Sequence, residues 1–517
     1  MSSPSTPSIA TRRFLALALA FTLPLFTSAQ TLQTKIDRAI ADRNIERASV
    51  AVMITDLQTG SELASYNPDI PMIPASNQKL LTTAAALAVL GPEARLTTEL
   101  LVSGNSLVIR GNGDPAFGDS KVLSKFGIED TPEKRNIDKL IDRWVENVRE
   151  QGLTSIDTLY VDDRVFDDQR VHPNWPTNQL HRWYCAQVAA INFNDNCIDV
   201  YATPRTDRPG LPPAIAIVPE IAPVSIDNRA TSVKSRQSNF GAARQIGTNN
   251  MVFTGNLSYT LTKPVNITVD DPAMFFARTL RNRLESNGIL VGRVERVAPD
   301  DDSLDSARPI AIVQTMLAEI LNRCNTDSQN LFAEALIKHL GHRLTGEPGS
   351  WQNGAASVRL FMTDAIGTEA ASVSIDDGSG MSRENRVSPR TITRLLDFMD
   401  ERPELATIYR ESLARPGYGT LDERFVVRRG GRVLTDEQGE PRSTLNGRIY
   451  AKSGYINNVI TLSGYLIGED GSRVAFSVML NGWTRSVWEG RELINEVVEI
   501  LDDELTASKP AENAFGG

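Results

Sequence analysis

The 517-residue sequence predicts an α+β fold, an antiparallel sheet flanked by helices and interrupted by a large β-rich insertion. Three observations lead there. A hairpin pattern followed by an apolar helix lies near the N-terminus. Helices, then strands, then a last amphipathic helix fill the C-terminal part. Between them runs a long stretch of short β-like segments split by Pro, Asn and Gly clusters. The expected organisation is a leader over 1–29, the main domain over 30–94 and 298–505, the insertion over 95–297, and a tail over 506–517.

In chain order, Arg12 and Arg13 precede an apolar run from Phe14 to Phe26, and Thr27-Ser28-Ala29 supplies small residues before an expected cut. That is the pattern of a secretory signal. The run is too short for a transmembrane helix, and no second candidate follows, so an exported, periplasmic or secreted protein with no membrane span is expected. Ala48 to Ile54 and Glu62 to Tyr66 flank Asp56-Leu-Gln-Thr-Gly60, a hairpin signal. The segment from Asn77 is rich in helix formers and stops at Gly91.

In the insertion, TTELLVSG, SLVIRG, TLYVDD, AIAIVPE and NITVDD read as strands, with one helical interval near 132–151. From Pro309 the pattern predicts helices over PIAIVQTMLAEILNRC, NLFAEALIKHLGHRL and SVRLFMTDAIG. Ser388-Pro389 supplies an N-cap and a first-turn proline for TITRLLDFM. Tyr450 to Gly454, Val459 to Ile467 and Val474 to Leu480 read as strands, and Val487 to Leu505 as an amphipathic helix.

A net charge of −10 argues against a nucleic-acid or anionic-membrane partner. Of three cysteines, Cys185 and Cys197 are spaced to close a short loop as a disulfide in an oxidising compartment, whereas Cys324 ends an apolar helical pattern and reads as a buried thiol. The four histidines show no metal spacing, and no glycine loop suits a phosphate. Neither metal nor cofactor is expected.

Three motifs occur in order. Ser76-Asn-Gln-Lys79 opens the first helix, and positions three apart share a helical face. Alone it reads as an N-cap serine followed by a solvated lysine, and only its company makes it a nucleophile beside its base. Ser328-Gln-Asn330 falls in the loop between two predicted helices, where Asn330 also suits a helix cap. Lys452-Ser453-Gly454 lies on a predicted strand, where the glycine leaves room for a ligand. Asp377 and Ser379, in DGSG, read as turn chemistry, and Asn194-Asp195-Asn196 as a turn or a peptide contact.

Together the three motifs match the S-x-x-K, S-D-N and K-T-G set of penicillin-recognising serine enzymes. With Arg110-Gly-Asn-Gly-Asp-Pro115, Ser328-Gln-Asn-Leu-Phe-Ala-Glu-Ala-Leu336, Asp377-Gly-Ser-Gly-Met-Ser-Arg383 and Tyr418-Gly-Thr-Leu421, the chain resembles the D-alanyl-D-alanine carboxypeptidase/endopeptidases, the class C low-molecular-mass penicillin-binding proteins, over residues 31–505. Gln329 stands where that family usually has Asp, and Ser453 where it has Thr. An Arg-rich stretch over 424–442 looks longer than usual.

The resemblance implies a transpeptidase-like main domain and an acyl-enzyme at Ser76. Lys79, its charge disfavoured beside Lys452, would act as general base. Ser328 would relay a proton to the leaving amine, and Asn330 would bond the substrate backbone. Lys452 and Ser453 would hold the terminal carboxylate. Backbone N–H groups of Ser76 and Tyr455 would form the oxyanion hole. Peptidoglycan stem peptides would be substrates and β-lactams covalent inhibitors. The same serine–lysine pair also suits a β-lactamase or esterase, and a catalytically silent cell-wall binding protein is the reading from another class.

Overall fold

The computed structural model describes residues 23–43, 45, 50–131, 134–235, 238–367, 372–445 and 448–507. Most of the expected leader, 1–22, and most of the expected tail, 508–517, lie outside the described residues; a helix runs Leu23–Ala41, across the expected cut. No helix among the described residues is long and apolar enough to cross a membrane.

The main sheet has five antiparallel strands in the order Arg448–Ile456, Val459–Ile467, Arg473–Asn481, Val50–Asp56 and Glu62–Tyr66. The N-terminal hairpin and the C-terminal meander thus meet through Val50–Asp56 and Arg473–Asn481. Val50, Val52 and Ile54 pack with Ile36, Leu493 and Val497 of the two terminal helices. Ala51, on the opposite parity, joins the cluster around Leu80, Leu81 and Ala84 of the helix Gln78–Leu90. A strand buried on both faces has no polar alternation to keep, which is why VAVMI reads as a continuous apolar run. The expected helix-flanked antiparallel sheet is present.

A second five-stranded sheet follows the order Leu290–Arg296, Ser155–Asp162, Ser106–Gly111, Arg95–Ser103 and Arg308–Met316, with the helices Asn136–Glu150 and Pro272–Ser286 in its core. Two small three-stranded sheets and a two-stranded one also lie in this region. Two expectations need correction here. The helix expected from Pro309 begins only at Leu317: Arg308–Met316 is a strand pairing with Arg95–Ser103. The β-branched Ile310, Ile312, Val313 and Thr315 suit extended backbone, and Pro309 is tolerated because it sits at a register irregularity on an edge strand. The helix Pro272–Ser286 went unread, although Asp271 caps it through Met274 N–H and Pro272 occupies its first turn.

The cysteine expectation also fails. Cys185, Cys197 and Cys324 are all free and buried. Cys185 lies in a turn packed against the core around Leu80 and Leu336, whereas Cys197 starts the strand Cys197–Thr203 and is not part of that core. Burial pushes the Cys185 thiol up to about 12 and Cys197 well above its ordinary value. Cys324 is the buried thiol expected.

Candidate active site

The turn that carries Ser76 is built by its attachment to the sheet. Ala75–Asn77 forms a single 3-10 turn that feeds directly into Gln78–Leu90, and Ala75 holds a left-handed φ of 47°. Asn77 Nδ2 donates to Ser463 Oγ at 2.6 Å, Thr461 Oγ1 to the Pro74 carbonyl at 3.0 Å, and Asn481 Oδ1 accepts from Ile73 N–H at 2.8 Å. All three anchors come from the main sheet. Two glycines permit the approach. A Cβ on Gly454 would sit 2.9 Å from Pro74 O and 3.0 Å from Ser76 N, and one on Gly380 1.8 Å from Ala75 O. Ser76 is not the cap of its helix: Asn77 occupies that position, without a side-chain bond.

Lys79 is fully buried. Its ammonium donates to Ser76 Oγ at 3.1 Å, Asn330 Oδ1 at 2.7 Å and the Ser379 carbonyl at 3.0 Å. Burial lowers its pKa to about 8, against the upward pull of Cys324, Glu334 and Asp377. Lys452, equally buried, reaches from the edge strand to Ser328 Oγ at 2.9 Å and to its neighbour's carbonyl, Ser453 O, at 2.8 Å. Burial first, and the charge of Lys79 second, hold Lys452 well below the ordinary lysine value. The two amines therefore serve two different hydroxyls. Ser328 itself is held at a φ of 60°, in the loop between Leu317–Thr326 and Asn330–Thr345.

Asn330 is the first residue of its helix rather than the cap, which is Gln329. Its amide nitrogen donates to the Tyr184 carbonyl at 2.8 Å, so the insertion touches the site directly. Ser453 and Tyr455 line the cleft, Tyr455 half exposed. Ser76, Ser328, Asn330, Ser453 and Tyr455 all face one cavity of about 880 Å³, and Lys79 and Lys452 stand beneath its floor, bonded to the two serines.

Sequence reasoning missed several participants. Trp183, Asn174 and Gln179 from the insertion, Arg383 from the DGSG turn and Arg491 from the last helix also line the cavity. Asp377 does the turn chemistry expected, accepting from Gly380 N–H at 2.8 Å and Ser382 N–H at 2.7 Å, but Ser379 touches Lys79 through its carbonyl. Asn194, Asp195 and Asn196 all take positive φ, and Asp195 meets Gln329 at 3.4 Å; where the family pattern has Asp, a carboxylate would there face another.

A family model for the D-Ala-D-Ala carboxypeptidase 3 (S13) family matches residues 32–504. The chain belongs to this family. Membership makes it a serine-type D-Ala-D-Ala carboxypeptidase, a peptidase hydrolase. A D-alanyl-D-alanine carboxypeptidase of Actinomadura sp. (strain R39) is 30% identical over 469 residues, 87% of this chain and 81% of the relative. D-alanyl-D-alanine carboxypeptidase DacB of Haemophilus influenzae is 23% identical over 95% of this chain and 96% of its own. The crystal structure of penicillin binding protein 4 (dacB) from H. influenzae shares the fold, with a TM-score of 0.69 at 20% identity over 92% of this chain and 99% of that one.

Proposed function

We propose that the carboxypeptidase works through an acyl-enzyme on Ser76, on peptidoglycan stem peptides outside the cytoplasm, and that β-lactams acylate the same oxygen. One observation carries the reading: a fully buried lysine amine 3.1 Å from the Ser76 hydroxyl, with its pKa lowered to about 8. The neutral fraction of Lys79 takes the Ser76 proton as Oγ bonds to the carbonyl carbon of the penultimate D-Ala. The negative oxygen that develops is met by the backbone N–H groups of Ser76 and Tyr455.

Collapse of this adduct breaks the peptide bond. The leaving D-Ala nitrogen takes a proton through Ser328, which Lys452 supports at 2.9 Å. Lys452 and Ser453 hold the terminal carboxylate, and Asn330 orients Lys79 as well as the substrate backbone. Water then releases the shortened peptide. A β-lactam opens instead, its nitrogen stays tethered, and the adduct persists. A solved structure of the H. influenzae protein is described as complexed with a novel β-lactam. A D-Ala–diaminopimelate cross-link presents the same acyl donor with a larger amine, so endopeptidase activity is part of the proposal.

Incubating the leader-free protein with purified muropeptides, beside Ser76→Ala, tests this by product mass. Loss of one D-Ala, and of cross-links, is expected only with Ser76 present. Fluorescent penicillin retained on a gel supports a DD-peptidase, and its turnover within seconds a β-lactamase. D-Ala release surviving in Ser76→Ala would overturn the assignment.

A further inference from the structure

The helix Asn330–Thr345 carries three buried polar residues at four-residue spacing, Asn330, Glu334 and Lys338, on a helix otherwise apolar toward the core. Asn330 belongs to the site and Lys338 pairs with Asp167 of the insertion. Glu334, between them, has a different set of partners. Its Oε1 accepts from Ser379 N–H at 2.8 Å, and its Oε2 from Gly378 N–H at 3.0 Å and Trp351 Nε1–H at 2.7 Å. Ser379, whose N–H is so gripped, offers its carbonyl to Lys79 at 3.0 Å, and the peptide bearing that carbonyl is held at the Gly380 N–H by Asp377 at 2.8 Å.

The turn has little freedom elsewhere. Thr82 Oγ1, one helical turn beyond Lys79, donates to the Gly378 carbonyl at 2.8 Å, and a Cβ on Gly378 would lie 2.6 Å from Ala333 O. Asp377, next in line, binds Gly380 N–H, Ser382 N–H, Asn385 Nδ2–H at 2.8 Å and Trp175 Nε1–H at 3.0 Å. Two buried carboxylates thus take up N–H groups of one short turn, and one carbonyl of that turn is aimed at the base.

We propose that Glu334 is a positioning residue for acylation: by holding the Gly378 and Ser379 N–H groups it fixes the turn whose next carbonyl, Ser379 O, meets Lys79, and so keeps the amine directed at Ser76. The proposal rests on the assignment of Lys79 as base. Glu334 does not line the cavity, so it acts on the chemical step and not on substrate binding. It also bears on when Lys79 loses its proton. The charged or titratable groups facing Lys79 are Cys324 from Leu317–Thr326, Glu334 from its own helix, Asp377 from the turn, and Lys452 from the edge strand. Glu334 is one of the two carboxylates that hold the Lys79 proton on, and its own carboxyl is pushed up to about 7 by burial and by Asp377.

The test measures the second-order rate constant for β-lactam acylation across pH, together with kcat and KM for D-Ala release, in the leader-free wild-type protein and in its Glu334→Gln, Glu334→Asp and Trp351→Phe variants. Glu334→Gln is expected to slow acylation at least tenfold, lower kcat with KM unchanged, and move the acidic limb to lower pH because a negative charge near Lys79 is gone. Glu334→Asp keeps that charge, so its limb returns to the wild-type position while the rate stays reduced. Trp351→Phe removes one of the three donors and slows acylation by a smaller factor. A Glu334→Gln protein that loses only melting temperature, with rate constant and pH limb unchanged, overturns the proposal. If Glu334→Gln does not fold, a wild-type rate in Trp351→Phe overturns it. Absence of label on the wild-type protein would instead sink the assignment of Ser76 and Lys79.

Discussion

Replacing Gly454 by alanine puts the Ser76 turn under direct test. The added methyl would meet Thr461 Oγ1 at 2.2 Å, Pro74 O at 2.9 Å and Ser76 N at 3.0 Å. The threonine hydroxyl can rotate away, at the loss of its 3.0 Å bond to Pro74 O, but the other two atoms are backbone. Comfortable contact lies near 3.5 Å, so both must retreat by about 0.5 Å. Accommodating an extra methyl in a packed interior costs on the order of 1–3 kcal/mol. Misplacing reacting groups by 1 Å costs about a hundredfold, so half that shift costs about tenfold, or ~1.4 kcal/mol of activation free energy.

The assay is the second-order acylation rate with a fluorescent penicillin, read beside the melting temperature. Gly454→Ala should lose about tenfold in rate and melt a few degrees lower. Adding Thr461→Ala should restore only part of the rate, because the two backbone contacts remain. A single mutant that acylates at the wild-type rate would refute the argument that this strand sets the Ser76 turn.

Three further outcomes follow from the same geometry. With Lys79 lowered to about 8, the base is protonated below that pH; acylation should therefore climb about tenfold per pH unit up to about 8 and flatten above it, as a stopped-flow pH profile would record. Lys452 is held well below its ordinary value in the empty site, and an arriving carboxylate favours its charged form, so KM for a carboxylate-ended peptide should rise with pH while that of the amide-ended analogue stays high and flat; Lys452→Met should abolish the difference. Because the cysteines are unpaired, a reducing agent should leave the melting temperature unchanged, and alkylation of the unfolded, unreduced protein should add three labels by mass.

Local chemistry made much of this legible in advance. Ser388 and Pro389 announced their helix, and Ser388 Oγ does accept from Thr391 N–H at 3.1 Å. Ser76 and Lys79 were legible because three residues of spacing fix their proximity. What the sequence hid was the long-range bonding. Asn330 and Tyr184 are 146 residues apart, and nothing local says that one donates to the other's carbonyl. Glu334 lay within the stretch Ser328–Leu336 that carries the resemblance, yet no role was read for it; the available signal was its place inside LFAEALI, four residues from Asn330, where an acid has no solvent to face. The strand at 308–316 was hidden because its apolar residues fit either period, and only pairing with Arg95–Ser103 decides.

The strand carrying Lys452 ends the main sheet, and its first half is already taken: Ala451 exchanges backbone bonds with Ala414 at 2.8 and 3.1 Å. Only the few residues from Ser453 onward remain as a berth. Such a short opening discourages docking by another sheet's rim, yet it is long enough for two or three residues of an extended guest. With Lys452 in its proposed role, selectivity would begin before any side chain is consulted, with a guest whose last residues lie straight and whose end coincides with the buried amine.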